Sequence, residues 1–239
     1  MFDADGRGRK ARTMIAVLED HFGRALVDLD LVNVGTSTGI IDHVLARHLR
    51  RVVGIDIDEL GVEHAKRNFS AANLEFRVGD AMNMPFDDAS FDVAICSQVY
   101  EHVPDARVMF EEIHRVLRPG GVCYFAASNR LMINEPHYNL PFLALLPRPL
   151  ADLYLRLTGR GTHYYEKHLT YWGLLRLVHR FRRVDYTERT VCEPERFHTA
   201  YMIRPGTTRA RIAAWVVRNA LWASPGYIWV LEKSARGER

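Results

Sequence analysis

The sequence predicts an α/β domain: a parallel sheet with helices on both faces. Three observations carry this expectation. Short apolar runs at about 31–34, 51–56, 74–78, 91–96 and 121–127 alternate with stretches of helical period at about 38–48, 59–71 and 105–117. The connections are short, and strands buried on both faces read as near-continuous apolar runs rather than alternating ones. The first run enters a small-residue turn, Val34-Gly35-Thr36-Ser37-Thr38-Gly39, and the second ends on a carboxylate, Asp56.

A leading helix is expected over Gly8 to Phe22, with Met14, Ile15, Val17, Leu18 and Phe22 on or near one stripe. The turn after the first strand lets backbone pass close to a ligand, and its glycines take positive φ at little cost. Asp56, 17 residues beyond Gly39, suits a bidentate hydrogen bond to a ribose diol. A dinucleotide fingerprint fails, because Ser37 and Ile40 stand where its second and third glycines belong. Phe76 to Ala81 reads as a third strand ending in Gly-Asp. Ser90 to Val103 reads as a fourth strand and its loop. Pro104-Asp105 starts a helix that the Arg118-Pro119-Gly120-Gly121 turn stops before the fifth strand.

The regular rhythm ends after Ser128. About 40 residues separate the fifth strand from a helix at 170–180, too many for a plain loop, so helices are expected within them. Arg183 to Cys192 reads as a sixth strand, a helix is expected near 209–221, and Gly226 to Glu232 reads as a seventh strand. No linker divides the chain, which is expected to be one domain over 1–239. Its core spans about 25–127, with insertions at about 129–168 and 193–225.

Taken together, the Asn33–Gly39 turn, Asp56, Gly79-Asp80, Ser97–His102 and Pro119-Gly120-Gly121 resemble class I S-adenosylmethionine (SAM)-dependent methyltransferases, specifically the group that contains the ubiquinone and menaquinone methyltransferases. The resemblance implies a Rossmann-like, seven-stranded, mostly parallel sheet whose last strand is antiparallel, with the insertions forming a helical lid. It implies SAM as cofactor and S-adenosylhomocysteine as product. Gly35, Thr36, Ser37 and Gly39 would pass under the methionine moiety, and Asp56 would hold the ribose with Ile57 on the adenine. Asp80 would accept from the adenine amino group, with Ala81 and Met82 flanking the ring. Ser97 and Gln98 would line the methionine end, and His102 would sit near the methyl donor. Two positions depart from the pattern: the family usually has an acid at Asn33 and a glycine at Ser37.

Methyl transfer from a sulfonium needs alignment of nucleophile, carbon and sulfur, and for a hydroxyl acceptor a base near the oxygen. Histidine suits that role by its pKa. His102, His137 and His168 are the candidates, with His168 preferred because a helix start at Thr170 follows it. Arg130, Tyr138, Tyr164 and Tyr165 are candidate substrate contacts. The leading expectation is O-methylation of a small molecule, glycan or lipid-linked sugar. Carbon methylation of a quinone-like ring and a non-catalytic SAM-binding role are the alternatives.

The composition, 48% apolar and 26% charged, is that of a globular protein. Residues 1–128 carry 14 basic and 20 acidic side chains, and residues 129–239 carry 18 and 9, so the second half is positive. That polarity suits an anionic or amphiphilic substrate, or association with a membrane surface. No nucleic-acid module is recognisable. No metal is expected: Asp87-Asp88 and Glu111-Glu112 read as solvated acids, and no ligand spacing stands out. Cys96, Cys123 and Cys192 form no pairing pattern, and the start from Met1 to Arg7 is polar rather than signal-like. Both point to a reducing cytoplasmic setting. Neither 141–157 nor 212–231 is an unbroken apolar stretch of spanning length.

Overall fold

The computed structural model describes residues 4–235, so the first three residues of the polar start and the chain beyond Ala235 lie outside the description. Helix α1 (Ala4–Phe22) leads into β1 (Asp30–Val34), α2 (Ile40–Leu45), β2 (Arg51–Asp56), α3 (Glu59–Asn68), β3 (Leu74–Val78), β4 (Phe91–Ser97), α4 (Ala106–Val116) and β5 (Leu117–Ser128). The first insertion follows, with short strands β6 (Asn134–Glu135) and β7 (Leu140–Pro141), a 3-10 turn at Leu143–Leu145 and α5 (Arg148–Leu157). Then come α6 (Tyr171–Leu177), β8 (Arg182–Asp185), α7 (Thr187–Cys192), α8 (Thr208–Asn219), a 3-10 turn at Leu221–Ala223 and β9 (Gly226–Glu232).

Seven strands form one sheet in the order β3-β2-β1-β4-β5-β9-β8. The first five pair in parallel, and β9 runs antiparallel to both β5 and β8. Side-chain alternation sends each strand's apolar residues to both faces. Val32, Val53, Ala94 and Phe125 meet Met109, Phe110 and Ile113 of α4 and Leu174 of α6 on one face. Leu31, Val52, Ile95 and Tyr124 meet Met14 and Leu18 of α1 and Leu45 of α2 on the other. Phe125 and Trp229 are fully buried at the β5–β9 pairing, where each such side chain contributes about 1.5–3 kcal/mol of burial.

Helix starts follow the capping residues. Asp58 Oδ1 accepts from Leu60 N at 3.1 Å, Asp105 Oδ1 accepts from Arg107 N at 2.8 Å, and Thr170 Oγ1 accepts from Gly173 N at 3.4 Å. The expected sixth strand at 183–192 is corrected. The strand ends at Asp185, whose carboxylate accepts from Thr187 N at 2.9 Å and starts α7 there. That local bond offers the backbone a helical route which the β-branched Thr187, Thr190 and Val191 concealed in the sequence. No helix among the described residues is long and apolar enough to cross a membrane.

Candidate functional site

The site lies at the carboxyl ends of the parallel strands, beside the point where strand order reverses between β1 and β4. Gly35 N and Thr36 N both donate to Ile55 O at 2.9 Å, fastening the turn to the end of β2. Gly39 has φ 79°, and a Cβ there would lie 2.7 Å from both Ala65 Cβ and Phe76 Cζ. At Gly35, with φ 82°, a Cβ would meet Val99 Cγ2 at 2.6 Å, so the turn abuts the loop after β4. Both glycines are therefore demanded by packing as well as by backbone conformation.

Asp56 stands at the rim. One carboxylate oxygen accepts from Ser37 N at 2.7 Å and the other from Asp58 N at 3.0 Å. Ile57 beside it is 75% exposed, an apolar face next to a diol acceptor. Asp80 Oδ1 accepts from Met82 N at 2.8 Å, which holds the Asp80–Met82 loop as a half-buried ledge that includes Ala81. Gln98 follows Ser97 in the left-handed region at φ 57°, and its Oε1 accepts from Ser128 Oγ at 2.7 Å. A rim carboxylate, an exposed apolar side chain and a second acidic loop fit a nucleoside-bearing ligand.

The two positions that depart from the family pattern have structural counterparts. Asn33 is buried, and its Nδ2 donates to Asp42 Oδ2 at 3.0 Å. Thr36 Oγ1 donates to the same oxygen at 2.6 Å. Asp42 is fully buried, and its other oxygen has no hydrogen-bond partner. Burial outweighs the hydrogen bonds from Thr36 and Asn33 and pushes the Asp42 carboxyl up to about 6. Gly54 leaves room for this group, since a Cβ there would lie 2.5 Å from Thr36 Oγ1 and 2.8 Å from Asp42 Oδ1. The sequence reading missed Asp42, because an acid in a first helical turn reads as a solvated dipole partner. Ser37 sits at φ 52°, a left-handed conformation that suits the glycine usual at its position.

Across the cleft, the structure brings His102, His137 and His168 together. The rings of His102 and His137 are 4.8 Å apart and perpendicular, and those of His137 and His168 are 6.1 Å apart. Backbone bonds join the loops that carry them: Lys167 N donates to Glu101 O and Arg130 N to Leu169 O, each at 2.9 Å. Glu135 lies fully buried between two of the histidines. Its Oε1 is 2.6 Å from His137 Nδ1 and 3.3 Å from His168 Nε2, and its Oε2 accepts from Tyr138 N at 3.0 Å. Burial would raise the Glu135 carboxyl, but hydrogen bonds from His137 and His168 outweigh it and bring it to about 2. His137 is raised by the bond to Glu135. His102 is lowered, by burial first and by His137 next, which favours its neutral form. His102 and His137 are open to solvent, whereas the His168 side chain is only 1% exposed. Glu101, next to His102, is fully buried, and neither carboxylate oxygen has a hydrogen-bond partner.

The substrate candidates divide. Arg130 is exposed, and its Nε donates to Ala144 O at 3.1 Å. It lines a cavity of about 230 Å³ with Leu146, Tyr164, Lys167 and His168. Tyr164 is buried among Met132, Leu140, Leu143 and Leu155, with no partner for its hydroxyl. Tyr138 packs edge-on against Tyr164, and Tyr165 is 68% exposed. A larger concavity of about 480 Å³, lined by Arg51, Arg77 and Phe91, opens beside the amino ends of β2 and β4, away from the turn.

Fold and site together define a nucleotide-type cofactor domain with an aromatic, histidine-rich lid. Among known proteins, residues 32–125 match the family model described as a methyltransferase domain. That stretch holds Asp56, Asp80 and the turn after β1, and over it the chain is similar to methyltransferase domains. It is 36% identical over 102 residues to an S-adenosylmethionine-dependent methyltransferase of Mycolicibacterium smegmatis, covering 43% of this chain and 39% of that protein. It is 30% identical over 165 residues to a ubiquinone biosynthesis O-methyltransferase of Rhizobium rhizogenes, covering 64% and 63%. The chain thus spans less than two thirds of the length of these curated relatives. A SAM-dependent methyltransferase structure from Methanosarcina mazei shares the fold, with TM-score 0.56 and 19% identity over 91% of this chain and 98% of that one.

Proposed function

We propose that this protein transfers the methyl group of SAM to a hydroxyl of an amphiphilic small molecule, sugar or lipid-linked acceptor, with His102 as proton acceptor. The observation that carries the reading is the convergence of three histidines beside the loop after β4, with His102 open to the cleft and held neutral. Bound SAM supplies an electrophilic methyl on a good leaving group, and what remains is alignment and removal of the acceptor proton. Gly35, Thr36, Ser37 and Gly39 form the turn under the methionine end. Asp56 and Asp80 present carboxylates to the ribose and the adenine amino group, and Ile57 packs on the ring, with Ala81 and Met82 flanking it. Ser97 and Gln98 fix the methionine end of the cleft.

His102 rather than His168 is the assigned base. The His168 side chain packs against Glu135 and is only 1% exposed, whereas His102 is exposed. His137 is engaged by Glu135 at 2.6 Å, which leaves it less suited than His102 to take the acceptor's proton. Arg130, Tyr138 and Tyr165 offer polar and aromatic contacts at the lid.

An amphiphilic acceptor is supported by the outer face of α5. Leu150, Leu153 and Leu157 are exposed there at helical spacing, 53%, 46% and 77%, beside Arg148 and Arg156. The name of the Rhizobium rhizogenes relative, a ubiquinone biosynthesis O-methyltransferase, favours oxygen over carbon as the methylated atom. The test is transfer of labelled methyl from SAM to a panel of phenols, sugars and prenylated phenols. Label in an ether product that falls at least ~100-fold in His102→Ala supports the reading. Label on carbon, or an unchanged rate in His102→Ala, overturns it.

A further inference from the structure

We propose that Glu135, His137 and His168 bind a divalent first-row transition cation. Glu135 Oε1 lies 2.6 Å from His137 Nδ1 and 3.3 Å from His168 Nε2, so one carboxylate oxygen gathers the two ring nitrogens. All three donor atoms lie within 4.8 Å of one another. Metal–nitrogen and metal–oxygen bonds of about 2.0–2.1 Å in a tetrahedral site place ligand atoms roughly 3.3 Å apart. The Glu135–His168 spacing matches that edge, and the Glu135–His137 pair needs to open by only about 0.7 Å. Tyr138 N holds the other oxygen of Glu135 at 3.0 Å, which fixes the carboxylate.

A partnerless group next to these donors points to a bound cation independently. The carboxylate of Glu101 is fully buried with no hydrogen bond to either oxygen, and it interacts electrostatically with His168 and His137. A buried carboxylate without partners is costly, and a divalent ion beside it would supply the missing positive charge.

Two imidazoles and one carboxylate suit zinc, cobalt, manganese or iron rather than the all-oxygen preference of calcium or magnesium. Three protein ligands leave a position open, and His137, the exposed ligand, puts it on the side of His102. A hydroxyl bound there would be polarised next to the proton acceptor. That role rests on the proposed O-methylation, whereas cation binding does not.

The test uses the full chain after chelator treatment. Co²⁺ is added with its visible absorption as readout, Zn²⁺ binding is measured by calorimetry, and S-adenosylhomocysteine binding is measured in parallel. One equivalent of Co²⁺ with ligand-field absorption is expected in the unaltered protein. Affinity should fall by at least ~10-fold in His137→Ala, His168→Ala and Glu135→Gln, and by less than about 3-fold in His102→Ala. Retained S-adenosylhomocysteine binding in Glu135→Gln shows that its fold is intact, and it separates loss of the cation site from failure of the methyltransferase reading. Three results each overturn the proposal: no stoichiometric Co²⁺ or Zn²⁺ binding, undiminished binding in the His137→Ala/His168→Ala double variant, or loss in His102→Ala with retention in His168→Ala.

Discussion

Asn33 on β1 donates a hydrogen bond to Asp42 on α2 across 3.0 Å beneath the cofactor turn. The carboxylate that the family usually carries on the strand is here carried by the helix, with the amide as its partner. Replacing Asn33 by Asp therefore does not restore the family arrangement. It sets two buried carboxylates against each other.

Asn33→Asp should lower stability by about 2–4 kcal/mol at pH 8 and weaken S-adenosylhomocysteine binding, because a buried like-charge pair replaces a hydrogen bond. Asn33→Asp/Asp42→Asn, which exchanges the two groups, should recover most of the loss. Denaturant unfolding and calorimetry of these two variants and of Asp42→Asn check this. A change in the double variant equal to the sum of the two single changes would show that the pair is not coupled.

Asp42 also sets a pH dependence. Its folded pKa of about 6 lies above the ordinary value of 3.8, so the folded state favours the protonated acid. The favourable contribution is complete below pH 3.8 and is lost as pH rises through about 6. Asp42→Asn keeps a neutral group of the same shape. It should flatten the stability profile between pH 4 and 7 and leave the variant about 1–3 kcal/mol more stable than the unaltered protein at pH 8. Urea midpoints across that range provide the measurement, and a parallel decline in both proteins would refute it.

Ser37 holds a left-handed backbone with φ 52°. Ser37→Gly relieves that conformation and should raise stability by about 1 kcal/mol, since glycine occupies the region without a Cβ penalty. It also clears the turn for closer approach, so tighter S-adenosylhomocysteine binding should accompany the gain.

Gly39 is the converse case. Gly39→Ala forces a Cβ to within 2.7 Å of Ala65 Cβ and Phe76 Cζ at φ 79°. A loss of about 2 kcal/mol or more is expected, read as a lowered unfolding midpoint, together with weaker cofactor binding.

The core of the fold was legible because parallel strands buried on both faces give apolar runs. Val32, Val53 and Ala94 face one layer while Leu31, Val52 and Val93 face the other. The turn and Asp56 were equally legible, because their spacing is local. The lid was not. Its strands are two residues long, and its 3-10 turn starts from Phe142 at φ 59°, a conformation no pattern announces. His102, His137 and His168 were individually visible, but Glu135 between them and Glu101 beside them were not. Their meaning depends on backbone bonds between loops distant in sequence, such as Lys167 N to Glu101 O. Asp42 was hidden for a different reason: in a six-residue helix an acid in the first turn looks solvated, and only burial against Gly54 and Thr36 shows otherwise.

If the Gly35–Gly39 turn and Asp56 form a SAM site, calorimetric titration of S-adenosylhomocysteine into the protein and into Asp56→Ala will read it. One ligand per chain is expected for the unaltered protein, with affinity at least ~10-fold weaker in Asp56→Ala, as loss of a carboxylate accepting two hydrogen bonds from a diol implies. No binding to the unaltered protein, or equal affinity in the two, would contradict the account.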